Sequence, residues 1–505
     1  MECYNFDMPE ALLAGSRKLT IEDVERVARL KQRVALDEGA RARVRQGRIG
    51  LEELLARGVS VYGVNTGVGG NIKFALSPEQ ADQLQHNLMR HLSCATGQPL
   101  PGDVVRAAML LRAATFTTGA SAVRVELVEA LLELLNREIT PAVPRYGSVG
   151  ASGDLMPSAY IARALVGLGG VEYRGRNMTA LEALKLSGLE PFHFAPKEGL
   201  ALTNGTTVMT AVAALLWVDA RRVLRALLAA IALAVEALET GTEPFAAWVQ
   251  EAKGHPGQIA VAEHIRGHLD GSKSTGDSAR QSSYSLRCPP QGLGPVWEGL
   301  EDARPVIERE INSANDNPLI DPETGALFRA GNFYGGHIAR LLDTWKIDFA
   351  VMASWGNALM AVLVDDRFSN GLPSSLVPEP GVNSGFKGMQ LSVTSLACAV
   401  RQIAGPSSIH SLPTEAYNQD VVSLGMHAAV TAMDALECLR NETAMLLLAA
   451  AQAVDLRGAA DTLGTRNRHV HTAIRQVSDF LSRDRALEQD VADVAALIAA
   501  GKLAN

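Results

Sequence analysis

The sequence predicts an all-α protein, because helix signals cover most of the chain and strand signals are few. Helix-capping patterns recur along it, long apolar stretches of helical length follow them, and the clearest strand pattern is the short run 60–64. Two stretches, 226–235 and 444–454, are apolar on more than one face. Such helices lie deep in a large bundle or in a subunit interface.

Helix boundaries can be placed in order along the chain. Ser77 with Gln80, and Thr179 with Glu182, form capping boxes that predict helix starts. Asp103 and Ser121 are expected to cap helices that run to about 115 and 138, and the later helices are predicted over 206–240, 340–365, 387–404 and 421–455. The polar segment 271–285, rich in glycine and serine, is predicted to be an exposed loop that could act as a lid.

Charge and cysteine content exclude some classes of protein. The formal net charge of −8 leaves no basic excess to neutralise phosphates, so we expect no nucleic-acid partner. The five cysteines are odd in number and scattered, at positions 3, 94, 288, 398 and 438. This favours free thiols in a reducing compartment over a disulfide framework. The first ten residues do not resemble a signal peptide, and we expect a cytoplasmic protein.

One uncharged stretch, 199–218, is long enough to span a bilayer. However, it contains the polar run 203–207, and charged residues follow it at once from Asp219. We interpret it as a turn leading into a buried helix, and expect no membrane partner.

The segment GSVGASGDLMPSAY, 147–160, carries the most chemical information. It could be a glycine-rich turn before a helix that Asp154 caps. It could also hold a nucleophilic serine, but it is not the G-x-S-x-G elbow, and no His–Asp pair can be assigned to it.

The Ala-Ser-Gly-Asp of this segment resembles the signature of the histidine, phenylalanine and tyrosine ammonia-lyase family. In that family the tripeptide cyclises and loses water to form a methylidene-imidazolone, or MIO. The resemblance assigns this electrophile to Ala151, Ser152 and Gly153. The residue types suit the reaction, since glycine leaves its amide nitrogen unhindered and serine supplies a hydroxyl that leaves as water.

Further motifs resemble the same family, in the family's order, over roughly residues 15–460. They are VYGVNTGVGG (61–70), LTNGT (202–206), QSSYSLRCPPQ (281–291), NSANDNPLI (312–320), GNFYGG (331–336) and NQDVVSLG (418–425). The resemblance implies site residues Tyr62, Asn204, Gln281, Tyr284, Arg287, Asn332, Phe333 and Gln419.

These residues receive distinct roles by resemblance. Tyr62 would remove the β-proton, and positive potential around it would make its phenolate accessible. Tyr284 would relay protons, while Arg287 would bind the substrate carboxylate as a bidentate fork. Asn204 and Gln281 would hydrogen-bond the MIO oxygen or the polar groups of the substrate.

The expected substrate is an aromatic amino acid, and the pair His91-Leu92 resembles the tyrosine-selective members. Gln419 stands where histidine lyases carry a glutamate, which agrees with a phenyl or phenol ring. Val68 and Tyr160 depart from the lyase pattern, and Ser158 to Tyr160 looks closer to phenylalanine-type enzymes and aminomutases. A tyrosine or phenylalanine 2,3-aminomutase, or a phenylalanine or histidine ammonia-lyase, therefore stays open.

Two other classes of protein fit the sequence less well than the lyases do. The fumarase and argininosuccinate lyase superfamily has a GSSxMPxKxN loop, whose lysine is missing here. A non-catalytic scaffold would be expected to have lost the site residues. No metal is expected, because His264 with His268 and His469 with His471 lack a cysteine or carboxylate at ligand spacing.

The resemblance implies a large superhelical bundle of long helices with a smaller N-terminal part that carries the MIO loop. We place the two domains at 1–200 and 201–505. It also implies a homotetramer with active sites shared between subunits, which long apolar helices would suit.

Overall fold

The computed structural model describes residues 10–276, 281–415 and 417–503. Helices dominate this part of the chain, and its strands are only two to four residues long. The predicted all-α class is confirmed.

The chain forms two compact units. The first comprises the described residues up to Leu215, together with Arg304–Leu342 and Pro406–Val430. The second comprises Leu216–Ala303, Asp343–Gly405 and the described residues from Thr431 onward. The division into folding domains at residue 200 stays a prediction.

Eighteen α-helices lie in the described ranges. They are α1 (Ile21–Ala28), α2 (Glu38–Ala56), α3 (Pro78–His91), α4 (Gly102–Phe116), α5 (Val125–Asn136), α6 (Leu155–Leu165), α7 (Ala180–Ser187), α8 (Glu198–Thr203), α9 (Thr207–Ala237), α10 (Ala247–Glu251), α11 (Pro256–Leu269), α12 (Tyr284–Arg287), α13 (Pro289–Ile311), α14 (Gly336–Val364), α15 (Lys387–Ile403), α16 (Gly425–Arg457), α17 (Thr465–Arg475) and α18 (Glu488–Ala499). The four long helices predicted from 206 onward agree with α9, α14, α15 and α16 to within about one turn.

The strands form four small sheets. They are β1 (Leu12–Ala14), β2 (Val34–Leu36), β3 (Thr96–Pro99), β4 (Ile139–Pro141), β5 (Pro144–Tyr146), β6 (Gly170–Tyr173), β7 (Arg176–Thr179), β8 (Leu319–Ile320) and β9 (Leu327–Phe328). β1 pairs with β2 in parallel, whereas β3–β5, β4–β6–β7 and β8–β9 are antiparallel.

Two of the expected helix caps are confirmed and two are wrong. The capping boxes at Ser77 and Thr179 start α3 and α7. Asp103 instead lies inside the first turn of α4 and binds Arg29 Nε at 2.9 Å. Ser121 lies before the start of α5 and does not cap it. Its hydroxyl instead donates to the carboxylate of Asp316 at 2.8 Å.

Two local expectations also change. The run 60–64 is a turn rather than a strand, since Asn65 Oδ1 accepts the Val61 N–H at 2.7 Å and Val64 N–H bonds back to the Val61 carbonyl. Within 271–285, residues 277–280 lie outside the described residues, and the short helix α12 begins at Tyr284.

The core of the first unit is built around helix α4, which is buried along nearly its whole length. The apolar stretches 226–235 and 444–454, in α9 and α16, are likewise buried. The uncharged stretch 199–218 is broken by the turn between α8 and α9. Among the described helices, only α14 is long and apolar enough to cross a bilayer, a test that buried core helices also pass.

A buried ion pair joins two segments of the first unit. Lys197, just before α8, has a left-handed backbone with a φ of 81°. Its ammonium binds Asp316 Oδ2 at 2.9 Å, and both side chains are fully buried. Removing one partner of such a pair leaves an uncompensated charge in a low-dielectric interior.

We therefore expect Lys197→Met to destabilise the protein by about 3–5 kcal/mol. The exposed pair of Lys31 and Glu138 provides the control, and Lys31→Met should cost about 1 kcal/mol or less. Urea unfolding of both variants measures the difference. Equal losses of stability would contradict the structural role of the buried pair.

Candidate active site

The Ala151-Ser152-Gly153 tripeptide forms a tight turn before α6. Ser152 and Gly153 both have left-handed backbones, with φ values of 57° and 79°, and Gly153 N–H bonds to the Gly150 carbonyl at 3.3 Å. A Cβ atom added to Gly153 would stand 2.0 Å from the Gly205 carbonyl oxygen. Only glycine fits there, so the turn depends on this close approach of two backbones.

The turn docks on the segment that joins α8 to α9. The Ser152 carbonyl oxygen accepts Asn204 Nδ2 at 3.1 Å and the Gly205 N–H at 3.2 Å, and Asp154 N–H donates to the Gly205 carbonyl at 2.7 Å. Asn204 Oδ1 is buried without a hydrogen-bond partner among the described residues. Two donors thus polarise one carbonyl, and one acceptor is left for a ligand.

Asp154 fixes the start of α9. Its carboxylate accepts the N–H groups of Val208 and Met209 at 3.0 and 2.8 Å, so it caps α9 rather than the adjacent α6. Burial raises the pKa of Asp154 to about 7. The two N–H donors and the buried Arg112 guanidinium oppose that rise.

Arg112 supports the other side of the same segment. Its guanidinium donates to the Asn204 carbonyl at 2.9 Å and to Thr207 Oγ1 at 3.1 Å. Burial lowers the pKa of Arg112 to about 10, which leaves the group protonated at neutral pH. The backbone that presents Asn204 is therefore held from both ends.

Tyr62 lies in the turn 61–66, and its phenol oxygen accepts the Gly69 N–H at 2.7 Å. Burial raises the pKa of Tyr62, the Gly69 N–H partly offsets this, and the negative charge of Glu415 adds to the rise. The expectation of a positive potential at Tyr62 is wrong for the described chain, because a carboxylate and a desolvated position act on the phenol instead.

Glu415 was missed by the sequence analysis. Its carboxylate accepts the Gly70 N–H at 3.1 and 3.2 Å, next to the donor that serves Tyr62. It stands four residues before Gln419, outside the quoted motif, and no spacing rule connects it with residues 345 positions earlier. Only the fold brings it to the Tyr62 loop.

The turn at Ala151 and Ser152, together with Asn204 and Tyr62, surrounds a cavity of about 380 Å³. Gln419, which also lines the cavity, donates a hydrogen bond from Nε2 to Ser152 Oγ at 3.1 Å. The cavity is lined by Tyr62, Gly150, Ala151, Ser152, Asn204, Asn317, Arg329, Ala330, Phe333, Tyr334, Asn418, Gln419, Asp420, Val421 and Val422. Six residues predicted from widely separated motifs thus line one cavity: Tyr62, Ala151, Ser152, Asn204, Phe333 and Gln419.

Other predicted residues of the first unit do not line this cavity. His91 is exposed at the last position of α3, and Leu92 is buried just after it. Asn332 is exposed, and its amide donates to the Ala314 carbonyl at 3.0 Å.

Three predicted residues belong to the second unit. Gln281 and Tyr284 are exposed, and the Arg287 guanidinium lies 5.0 Å from the centre of the Tyr284 ring. Tyr284 lines a separate apolar groove with Trp355 and Val351. The roles given to these three residues stay predictions.

Among the four histidines of these pairs, His268 and His471 each bind another side chain, whereas the Nε2 atoms of His264 and His268 are buried without a hydrogen-bond partner among the described residues. His268 Nδ1 binds Asn467 Oδ1 at 2.8 Å, and burial lowers the pKa of His264 to about 3. His471 Nε2 lies 2.7 Å from Asp455.

Comparisons with known proteins point in one direction. Residues 19–476 match the profile of the family described as aromatic amino acid lyase. A histidine ammonia-lyase of Anaeromyxobacter sp. (strain K) is 39% identical over 98% of this chain and 99% of its own. The crystal structure of a tyrosine aminomutase from Streptomyces globisporus has a TM-score of 0.93 at 34% identity, covering 98% of this chain and 97% of that one. A phenylalanine aminomutase of Pantoea agglomerans has a TM-score of 0.92 at 32% identity, covering 97% and 99%.

The contact of Glu415 with the Tyr62 loop gives a prediction. Because the Glu415 carboxylate raises the pKa of Tyr62, Glu415→Gln should lower that pKa, whereas Glu415→Asp should change it less. The phenol titration can be followed by ultraviolet absorbance, with a Tyr62→Phe protein subtracted to isolate one residue. An unchanged or higher pKa in Glu415→Gln would contradict the assigned contact.

Proposed function

Because this chain belongs to the aromatic amino acid lyase family, we propose that it eliminates ammonia from an aromatic L-amino acid, preferentially from L-tyrosine to give 4-coumarate. One observation carries the proposal: the Ala151–Gly153 turn, its Asn204 clamp, Tyr62 and Gln419 surround a single cavity. In this proposal the residues of that arrangement supply an electrophile, a polarising donor and a base around one substrate position.

The turn is suited to form an MIO from its own atoms. Attack of the Gly153 nitrogen on the Ala151 carbonyl carbon, with loss of the carbonyl oxygen as water, closes the ring. Loss of the Ser152 hydroxyl with the Cα hydrogen releases a second water. The left-handed backbone at Ser152 and Gly153, and the lack of room for a Cβ at Gly153, fit this ring closure. The group supplies an electrophilic methylene that makes the substrate amine a better leaving group.

The residues around the turn then have definite tasks. The oxygen of Ser152 would be the ring carbonyl, so the donors Asn204 Nδ2 and Gly205 N–H draw electron density away from the Ser152 side chain. The unpartnered Asn204 Oδ1 is placed to accept an N–H of the substrate amine. Gln419 Nε2 donates to Ser152 Oγ, and its neutral amide suits a phenyl or phenol ring beside the turn.

Tyr62 is the base in this proposal, and its Oη takes the β-proton of the substrate. Its phenolate is stabilised by the Gly69 N–H at 2.7 Å, but burial and Glu415 hold the pKa above the ordinary value. The fraction of phenolate therefore grows as the pH rises toward that pKa, and turnover should increase with it.

We propose that Gln281, Tyr284 and Arg287 act in a homotetramer in which subunits share active sites. Tyr284 would relay protons and Arg287 would bind the substrate carboxylate as a planar fork. The exposure of Tyr284, 70% of its surface, leaves it available to a neighbouring subunit. The odd, scattered cysteines favour a cytoplasmic location for this assembly.

A second candidate function is a 2,3-aminomutase, favoured by the two solved aminomutases that this chain resembles. A histidine substrate is favoured by the name of the bacterial relative. Incubation with tyrosine, phenylalanine and histidine, followed by chromatography, separates the alternatives. Acrylates identify a lyase, β-amino acids a mutase, and the amino acid consumed fastest identifies the ring.

Replacement of the serine tests the electrophile. Ser152→Ala should abolish turnover while the fold stays intact, since only the serine hydroxyl can leave to give the methylene. Intact mass spectrometry should find the wild type lighter than its sequence by two waters, and the variant should lack the loss of the Ser152 hydroxyl. Wild-type turnover in the variant, or an unmodified wild-type mass, would overturn the MIO assignment.

The tyrosine preference rests on the resemblance of the His91-Leu92 pair to the tyrosine-selective members. His91 is exposed and does not line the cavity of the described chain, so its contact with the substrate ring would require a neighbouring subunit of the proposed homotetramer to close the pocket over it. In a closed pocket, phenylalanine would leave the imidazole without a partner, at a cost of about 1–3 kcal/mol, or roughly 5- to 150-fold in kcat/KM. His91→Phe should therefore invert the preference from tyrosine to phenylalanine, with Leu92 kept as the apolar wall. Measurement of kcat/KM for both substrates decides the matter. A parallel loss of both activities would instead indicate that His91 only packs against its neighbours.

A further inference from the structure

Three side chains that could bind a metal converge in the first unit, and none of them lines the cavity. Asp82 and His86 lie one helical turn apart on α3, and His193 lies in the segment between α7 and α8. One potential ligand atom from each lies within 4.8 Å of those of the other two. The rings of His86 and His193 are 5.0 Å apart, and His193 Nε2 is 3.4 Å from Asp82 Oδ1.

We propose that Asp82, His86 and His193 bind one divalent transition-metal ion, with Zn²⁺ as the physiological candidate, through two imidazole nitrogens and one carboxylate oxygen. Zinc takes nitrogen and oxygen ligands at about 2.0–2.2 Å, which sets ligand atoms roughly 3.4 Å apart in a tetrahedral site. The His193–Asp82 pair already has this separation. The side chain of His193 is 71% exposed, so it can rotate to close the remaining distance, and water can complete the coordination.

Two arginines lie close enough to the proposed ligands to affect the binding of a cation. Arg90 is the charge that opposes a cation here, while Arg124, also near Asp82, is neutralised by its ion pair with Glu198.

The segment that carries His193 is held in place. Arg124 Nη2 donates to the His193 carbonyl at 2.7 Å, and the same guanidinium binds both oxygens of Glu198. Glu198 also accepts the Ala195 N–H at 2.7 Å. The buried ring of Phe194 lies 5.7 Å from that of His86. A fixed backbone of this kind lowers the entropic cost of bringing His193 onto a metal.

A metal at this site would restrain helix α3, which is hydrogen-bonded to the turn that carries Tyr62. Gln85, next to His86, is fully buried, donates to the Gly63 carbonyl at 3.0 Å and accepts the Leu200 N–H at 3.1 Å. Helix α3 thus already joins the Tyr62 turn to α8. A bond from α3 to His193 would add a second link between α3 and the segment before α8, so zinc should stabilise the fold.

The test uses the full-length, tag-free protein after chelator treatment, titrated with Zn²⁺ by calorimetry and followed by thermal unfolding. We expect one zinc per chain at this site and a rise in Tm. His86→Ala and His193→Ala should each weaken zinc binding on the order of 10–100-fold or more. The exposed His255 provides the matched control, and His255→Ala should bind zinc as the wild type does. Arg90→Gln should tighten binding, because it removes the opposing charge.

Mg²⁺ should neither bind nor raise Tm, since it prefers oxygen ligands in an octahedral site. The Co²⁺ form should show visible absorption that His193→Ala loses. Because His193 is exposed, this variant is expected to fold even if His86→Ala does not. Failure to bind zinc, binding that survives both histidine substitutions, or an equal effect of Mg²⁺ would overturn the proposal. These readouts do not depend on turnover, so they are separate from the proposed function.

Discussion

The contact between the Gly153 and Gly205 backbones is the constraint on which the rest of the site depends. It is closed by the hydrogen bonds from Gly205 N–H to Ser152 and from Asp154 N–H to Gly205. Asp154 then reaches past this contact to the first N–H groups of α9. A buried carboxylate at a helix N-terminus interacts favourably with the helix dipole, so the start of α9 and the turn are fixed together.

Buried polar side chains surround the contact between Gly153 and Gly205, and the buried charges described next each hold a segment in place. Arg112 donates to the Asn204 carbonyl on one side of Gly205 and to the Thr207 hydroxyl on the other. Lys197 and Asp316 join the start of α8 to the segment before Asn317, which lines the cavity. Charges in such places are costly to bury and are retained only with hydrogen bonds that satisfy them. These contacts therefore hold in place the part of the site in which Ser152 lies.

Sequence patterns predicted the helices whose signals are local, but not contacts between distant segments. The capping boxes of Ser77 and Thr179 involve residues three apart, and both were found. Ser121 has the same kind of side chain, yet it serves Asp316 nearly two hundred residues away. In the same way, the motifs identified Tyr62, Asn204 and Gln419, whereas Glu415 became visible only through its contact with Gly70. The raised pKa of Tyr62 also depends on burial, which a motif does not encode.

The close approach of two glycines has an evolutionary consequence. A Cβ at Gly153 would overlap the Gly205 backbone, and one at Gly205 would stand 2.3 Å from Asn315 Oδ1. Neither glycine can be replaced by a residue with a side chain in a single substitution, and a replacement at one glycine cannot be compensated by a change at the other. Diversification of such a scaffold must therefore proceed through other residues that line the cavity, such as Phe333 and Val421, which are not part of the turn. The same architecture can then acquire new ring preferences while its reactive centre stays unchanged.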